Sequence, residues 1–449
     1  VASSLLRVAL SAGALVLSLL AALPDAAAQT STQTTAQTTT TLRVWHTLQG
    51  AHQAAFEQLV AQFNRETPGI RVSLQGYGDV AALRQAVALG AAKERSPRVP
   101  DLLPHLLQLP DNHTPEVIAE HKHILPLYRL LAAHPIPDAA WFLPQTANFV
   151  RDARGRLLAL PFMAEVPVMF VNRDAYAKAG LGLARPPLAR TWADLQTELM
   201  RLRASGTLCP LLTSEQTSVH FENLAAVNGK PYVRPNNGLT TSRATLPLAT
   251  LHMRHVSLMV SWQRAALLTH YSPGAQASVR FAQGDCGVLM AASGALAELR
   301  QNPVLNVAVA PLPYYAQEAA SSAAPFVSGS ALWALAGHRR AEDAATAAFL
   351  AWLAKPVVAA RWHQQTGFLP LTHAAFRAAN VSFYQRLPGA HQVIDTLRAV
   401  PATSRGFRLA NYPAVAAILN QSFEDAMAGK KPPVQALNDA RAGIAAIKP

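Results

Sequence analysis

The chain has 449 residues, 50% of them hydrophobic and only 14% charged, with a formal net charge of +13. That is enough for two compact lobes with their own cores and too much for one ordinary domain. The basic balance would suit a nucleic acid or an acidic membrane surface, but Lys and Arg are scattered, with no basic run of five and no aromatic-basic RNA motif, so no nucleic-acid partner is expected.

Residues 1–28 read as an export signal: Arg7 is the positive end, Val8 to Leu23 the apolar stretch, and Ala26-Ala27-Ala28 a small-residue cleavage site. The mature protein is expected to start near Gln29, periplasmic and monomeric, with residues 29–40 a Thr/Gln/Ala leader without structure of its own. Leu42 to Trp45 is the first expected strand, followed by a loop from His46 and a helix from Ala51 to Glu66. Ile70 to Leu74 is the second strand, Val80 to about Glu94 a helix capped by Asp79, and Arg98 to Leu103 the third strand. This β-α-β-α-β order predicts an α/β lobe built on a mostly parallel sheet. Ligands in such sheets sit beyond the carboxyl ends of the strands, which nominates the loops at His46–Gln49, Tyr77–Val80 and Pro104–Leu107.

The stretch from Leu158 to Asn172 carries the strongest local signal. Val166 to Val171 is an apolar, β-branched and aromatic run, a buried strand. Glu165 stands at its entry, where a lone carboxylate is costly without partners. The chain is expected to cross between lobes here, with Glu165 facing the cleft. A second α/β pattern follows. It contains a helix opening at Thr191-Trp192, a strand at Thr207–Leu212, another within Phe281–Ala292, a return crossing at Asn306–Pro313 and a Ser/Gly loop at Ser328-Gly329-Ser330 entering a strand. From Ala341 onward the pattern is helical. The resulting division is 41–163 with 311–340 in one lobe, and 164–310 with 341–449 in the other.

Cys209 and Cys286 have no metal-ligand spacing, and the 15 histidines lack acidic companions at helical ligand spacing, so neither a metal nor a cofactor is expected. In an oxidising compartment the two cysteines fit either a disulfide or two separate buried thiols.

Trp45-His46, Pro161-Phe162, Arg190-Thr191-Trp192, Gly284-Asp285-Cys286, Trp362 to Pro370 and Gly406 to Pro413 occur in an order that resembles the extracellular solute-binding proteins of bacterial ABC importers, the glycerol-3-phosphate and maltose receptors among them. The resemblance runs over about residues 41 to 445. It implies a two-lobed, non-enzymatic receptor that closes on a small solute and hands it to a membrane permease. It also implies ligand positions at Glu165, Trp192, Ser293, Ser328, Gly329 and Phe368, with His46 and Tyr77 on cleft loops. Compared with the glycerol-3-phosphate receptors, several contacts differ. Val80 and Phe368 replace tyrosines, Glu165 and Ala292 replace serines, a contact glutamate falls near Leu107, and Ala416 stands where an arginine should face the phosphate. Losing a guanidinium fork and gaining a carboxylate both disfavour a phosphate dianion. The changes favour a sugar, a polyol or a choline-bearing glycerophosphodiester, unless Arg405 or Arg408 replaces the lost arginine. A glycosidase using paired carboxylates from Asp79, Asp101 and Glu165 is the competing reading.

Overall fold

The structure is a computed structural model that describes residues 39–93, 103–113, 123–136, 141, 150–152, 154–182, 190–239, 244–398 and 406–447. The export signal, nearly all of the leader, Asp101 and Arg405 lie outside the described residues. Residues 39–449 form one compact unit built on two five-stranded sheets.

The first sheet holds β1 (Thr40–His46), β2 (Ile70–Gly76), β3 (Leu106–Pro110), β4 (Leu160–Glu165) and β10 (Ser328–Ala334), in the order β2-β1-β3-β10-β4. β1 pairs in parallel with β2 and β3, whereas β10 runs antiparallel to β3 and β4. The second sheet holds β5 (Pro167–Asn172), β6 (Cys209–Thr213), β7 (Leu268–Thr269), β8 (Cys286–Ala292) and β9 (Val307–Pro311), in the order β7-β6-β8-β5-β9. Here β6 pairs in parallel with β7 and β8, and β5 runs antiparallel to β8 and β9. Each sheet is therefore mixed, parallel across three strands on one side and antiparallel across the strands on the other, and not mostly parallel as expected. This is the α/β fold expected from the alternation of strands and helices.

β5 is buried along its whole length because it packs on both faces: Met169 and Val171 enter one core, Val168 and Phe170 the other. β8 repeats the alternation, with Val288 and Met290 on one side and Leu289 and Ala291 on the other. The polypeptide passes from β4 to β5 through the single residue Val166, and Asn172 at the far end of β5 caps the following helix, Arg173–Lys178.

Two expectations shift, and one strand is added to them. Leu106–Pro110 is a strand paired on both edges, whereas the strand expected at Arg98–Leu103 lies, except for Leu103, outside the described residues. Phe281 ends a helix, Gln276–Ala282, and β8 starts only after the turn at Gly284 (φ +93°). The helices Arg340–Leu353 and Pro356–Thr366, expected with the second lobe, pack on the first sheet: Trp352 Nε1 donates to Glu66 at 2.7 Å and Trp362 Nε1 to the Phe162 carbonyl at 2.8 Å. Helices Tyr412–Met427 and Pro433–Ala445 do pack with the second sheet's core.

Cys209 and Cys286 form a disulfide between the parallel neighbours β6 and β8, which settles the pairing left open by the sequence. The bond spans 77 residues and should stabilise the fold by about 4 kcal/mol through the unfolded chain. Replacing both cysteines by serine is expected to lower the urea midpoint accordingly; an unchanged midpoint would show that the bond contributes nothing.

Candidate functional site

The crossing from β4 to β5 sets the two sheets edge to edge. On the first sheet, the β3 end at Pro110, the start of β10 at Ser328 and the β4 end at Glu165 lie together, since Ser330 pairs with Pro110 and Ser328 with Glu165. On the second sheet, β6 and β8 end together and β5 begins there, with Pro167 opposite Ala292. Between the two edges lies a cavity of about 340 Å³, with an annex of about 30 Å³ that shares Asp111, Asn112, Glu222, Ser328 and Tyr412 with it.

Four carboxylates line this space: Asp111 after β3, Glu165 at the end of β4, and Glu215 and Glu222 after β6. Glu215 sits in the left-handed region (φ +54°) and opens a segment whose π-helical turn, Ser218–Glu222, swings Glu222 inward. Tyr412, Ala416 and Asn420 arrive from one face of the helix Tyr412–Met427, four residues apart. Behind the turn, Thr213 Oγ1 and His220 Nε2 are 2.8 Å apart, His220 Nδ1 and His255 Nε2 2.9 Å, and His255 Nδ1 and the Tyr315 hydroxyl 3.0 Å. This buried chain fixes the wall that carries Glu222.

The electrostatics are one-sided. None of the four carboxylates forms an ion pair with a Lys or Arg among the described residues. Burial, then the charge of Asp111, pushes Glu222 up to about 8. Burial pushes Asp111 to about 7, with Glu215 adding repulsion. Glu165 is held well above the usual carboxylate range by burial and then by Glu215 and Asp111, against one stabilising hydrogen bond from the Gly294 backbone. Burial raises Glu215 to about 7, although its side chain reaches the water of the cleft. Arg408 borders the annex, but its guanidinium donates to the Arg151 carbonyl.

Of the residues expected from the sequence, Glu165, Ser328 and Gly329 line the cavity, and Ala416 lines it as well. Gly329 is required there: its φ is +106°, and a Cβ would stand 2.1 Å from the Met163 carbonyl oxygen. The others do not line it. His46 ends β1, buried, with its ring against Phe56 and its Nδ1 accepting from the Leu48 N–H. Tyr77 packs beside Trp45. Trp192 lies in the second core against His255, Trp262 and Tyr315, where the Thr191 capping box holds it. Ser293 and Phe368 stand one step behind Glu165. The Ser293 N–H donates to the Val166 carbonyl at 2.7 Å, and Phe368 stacks on His52, whose Nε2 is 2.9 Å from the Gly294 carbonyl. The Gly294 peptide is thus held on both sides, by Glu165 and by His52. Sequence reasoning missed Asp111, Glu215, Glu222 and Tyr412.

A family model described as bacterial extracellular solute-binding protein matches residues 58–389. The sn-glycerol-3-phosphate-binding periplasmic protein UgpB of Escherichia coli K12 is 31% identical over 407 residues, covering 89% of this chain and 91% of that protein. Its namesake from Yersinia pseudotuberculosis is 30% identical over 406 residues, covering 89% and 90%. Among solved structures, UgpB from Mycobacterium tuberculosis in complex with glycerophosphocholine superposes with a TM-score of 0.70 at 20% identity, covering 90% of this chain and 97% of that one. Maltose-bound MalE3 of T. maritima gives the same TM-score at 14% identity, covering 90% and 99%.

The raised carboxyls have a consequence for stability. A carboxyl whose folded pKa exceeds its unfolded value contributes stability that is complete below the unfolded value and is lost as pH rises through the folded one. For Glu222 the window runs from 4.5 to about 8. The buried histidines act in the opposite sense. Burial lowers His220 to about 3 and His252 and His363 to about 4, so their contribution is complete above 6.5 and lost as pH falls toward those values. The ligand-free protein should therefore be most stable near about pH 6 and weaken toward pH 8. Glu222→Gln should flatten that alkaline limb. Thermal unfolding from pH 6 to 8 decides it, and parallel curves for the two proteins would refute the assignment.

Proposed function

The chain belongs to the bacterial extracellular solute-binding protein family, whose members are receptors and not enzymes, and we propose that within it this protein captures a small sugar, a polyol or a choline-bearing glycerophosphodiester for an ABC importer. The observation that carries this reading is the cleft between the two sheet edges, lined by four carboxyl groups without an ion-paired Lys or Arg among the described residues. The relatives at about 30% identity are named for sn-glycerol 3-phosphate, but a phosphate dianion would be repelled by whichever of Asp111, Glu165, Glu215 and Glu222 is ionised and would find no ion-pairing cation on them among the described residues. Two like charges ~4 Å apart repel by about 1–4 kcal/mol between bulk water and a protein surface. Hydroxyl groups and ammonium groups are the natural complements of such a lining. The glycerophosphocholine named for the Mycobacterium tuberculosis neighbour belongs to this class.

As a receptor of this kind, the chain is read as exported to the periplasm after cleavage near Ala28, acting as a monomer without nucleic acid and passing its solute to permease subunits. The Cys209–Cys286 disulfide supports an oxidising compartment. The competing reading as a genuine sn-glycerol-3-phosphate receptor would have to use Arg408, bonded to the Arg151 carbonyl, or Arg405.

A thermal-shift panel of sn-glycerol 3-phosphate, glycerophosphocholine, maltose-type sugars and simple polyols tests the reading. A solute at ~100 times its dissociation constant should stabilise the protein by about 2.7 kcal/mol. Glycerophosphocholine or a neutral compound should raise the melting temperature and sn-glycerol 3-phosphate should not. Ala416→Arg combined with Glu165→Ser should shift affinity toward phosphate esters, since it adds a guanidinium and removes a carboxylate in the same cavity. A strong response of the native protein to sn-glycerol 3-phosphate alone would sink the proposal.

A further inference from the structure

We propose that the protein has a second ligand site, a groove at the end of β5 and β9 away from the cleft, which binds a small amphiphilic anion: a phosphate or carboxylate head on an apolar chain. The inference goes beyond the receptor reading and does not depend on it. β5 begins at the cleft with Pro167 and ends at Asn172, about 17 Å along the strand. Arg173 follows, and Asn172 pairs with Val307 at the start of β9. Beside these strand ends lies a cavity of about 580 Å³, inside the range of about 300–1,000 Å³ usual for small-molecule sites. One wall is formed by residues 296–307 and the other by the end of the helix Val381–Arg386.

Three guanidinium groups line this groove, those of Arg173, Arg300 and Arg386, and among the described residues no Asp or Glu does. None of the three forms an ion pair with an acid among the described residues. Arg173 donates to Asn306 Oδ1 at 3.0 Å, but its Nε is buried without a hydrogen-bond partner. Arg300 donates to the Gln364 carbonyl, and its guanidinium carbon stands 5.7 Å from the Phe383 ring centroid. Arg386 is exposed, and its charge is felt by Arg300, whose pKa is lowered first by burial and then by Arg386. Asp174, the acid beside Arg173 in the chain, accepts from Asn306 Nδ2 at 3.3 Å and is not part of the lining. Like charges gathered without an acid repel until an anion joins them, and a planar guanidinium matches the oxygens of a phosphate or carboxylate. The rest of the lining has the opposite character. Leu299, Phe383 and Leu387 are buried side chains along it, and Val304 stands 82% exposed on its wall. An inorganic ion would leave this apolar surface wet, and an uncharged chain would leave the guanidinium donors unused. An amphiphilic anion meets both, and the carboxyl-lined cleft disfavours the same molecule.

Calorimetric titration of the mature protein with octyl phosphate, octanoate, octanol and inorganic phosphate tests the groove. Octyl phosphate or octanoate should bind at least about tenfold more tightly than octanol and than inorganic phosphate, since charged hydrogen bonds and buried methylenes each act on that scale. Arg386→Glu should weaken the octyl anion by about tenfold or more and leave octanol unchanged. Because Arg386 is exposed, the variant should keep its melting temperature, and the comparison of probes uses the native protein alone in any case. Equal affinity for octanol and the octyl anions, inorganic phosphate as tight as octyl phosphate, no binding of either octyl anion, or an unaltered affinity in Arg386→Glu would each overturn the inference. Adhesion to phosphatidylglycerol vesicles without any response to octyl phosphate would overturn it as well, because it would mark a flat basic surface and not a groove. The response to glycerophosphocholine or sugars bears on the receptor reading alone, so the two can fail separately.

Discussion

The one-residue passage from β4 to β5 fixes the rest of the molecule. Glu165 ends one sheet, Val166 is buried between the two, and Pro167 begins the other. Glu165 is paired with Ser328, and Pro167 with Ala292. With no slack at this point, the edge of the first sheet must face the edge of the second. The neighbouring Gly294 peptide reinforces the junction, its N–H held by Glu165 and its carbonyl by His52. A Cβ at 294 would stand 2.5 Å from Glu165 Oε2 and 3.0 Å from the Phe368 ring, so a side chain there would displace the Glu165 carboxylate. Glu165 thus belongs both to the joint and to the cavity lining, and this explains how a carboxylate persists at the entry of a buried strand.

From that joint the charge of the cleft follows. Each of the four carboxylates comes from a different point on the two facing edges, so none can be moved away from the others without disturbing a strand end or a helix turn. Among the described residues no Lys or Arg forms an ion pair with them, although the chain as a whole carries a net +13. Arg408, which borders the annex, is bonded to a backbone carbonyl. A strongly basic protein with an acidic cavity is a case where net charge says nothing of the site, because screening over about 8–10 Å confines each field to its neighbourhood.

The fold was legible because alternating strands and helices leave a periodic trace, and because β5 is a continuous apolar run of the kind that is buried on both faces. Glu165, Ser328 and Gly329 were legible as breaks in such runs. Asp111 was lost because Leu106–Pro110 was not read as a strand: the loop was put at Pro104–Leu107, whereas this strand ends at Pro110 and the next residue is the carboxylate. Glu215 and Glu222 were invisible for a different reason. A left-handed residue followed by a π-helical turn breaks the 3.6-residue period, so nothing in the sequence says which way Glu222 points. Trp192 and His46 err in the opposite direction. Both occupy positions next to expected loops, but an aromatic ring at a helix start or strand end is drawn into the nearest core unless something polar holds it out.

Charge and motion are coupled in this architecture. Asp111 and Glu165 are carried by the first sheet, while Glu215, Glu222 and Tyr412 stand on elements packed with the second. Any hinge movement that closes the cleft brings the two groups of carboxylates together and thins the water between them. Over an empty cleft this raises like-charge repulsion in a falling dielectric, and the carboxyls respond by taking up protons or by keeping the lobes apart. A solute that brings positive charge or donor groups reverses the sign of the same interaction, so that its free energy of binding differs between open and closed forms. That difference is the quantity a receptor needs, since a ligand can shift a conformational equilibrium only by as much as it prefers one state over the other.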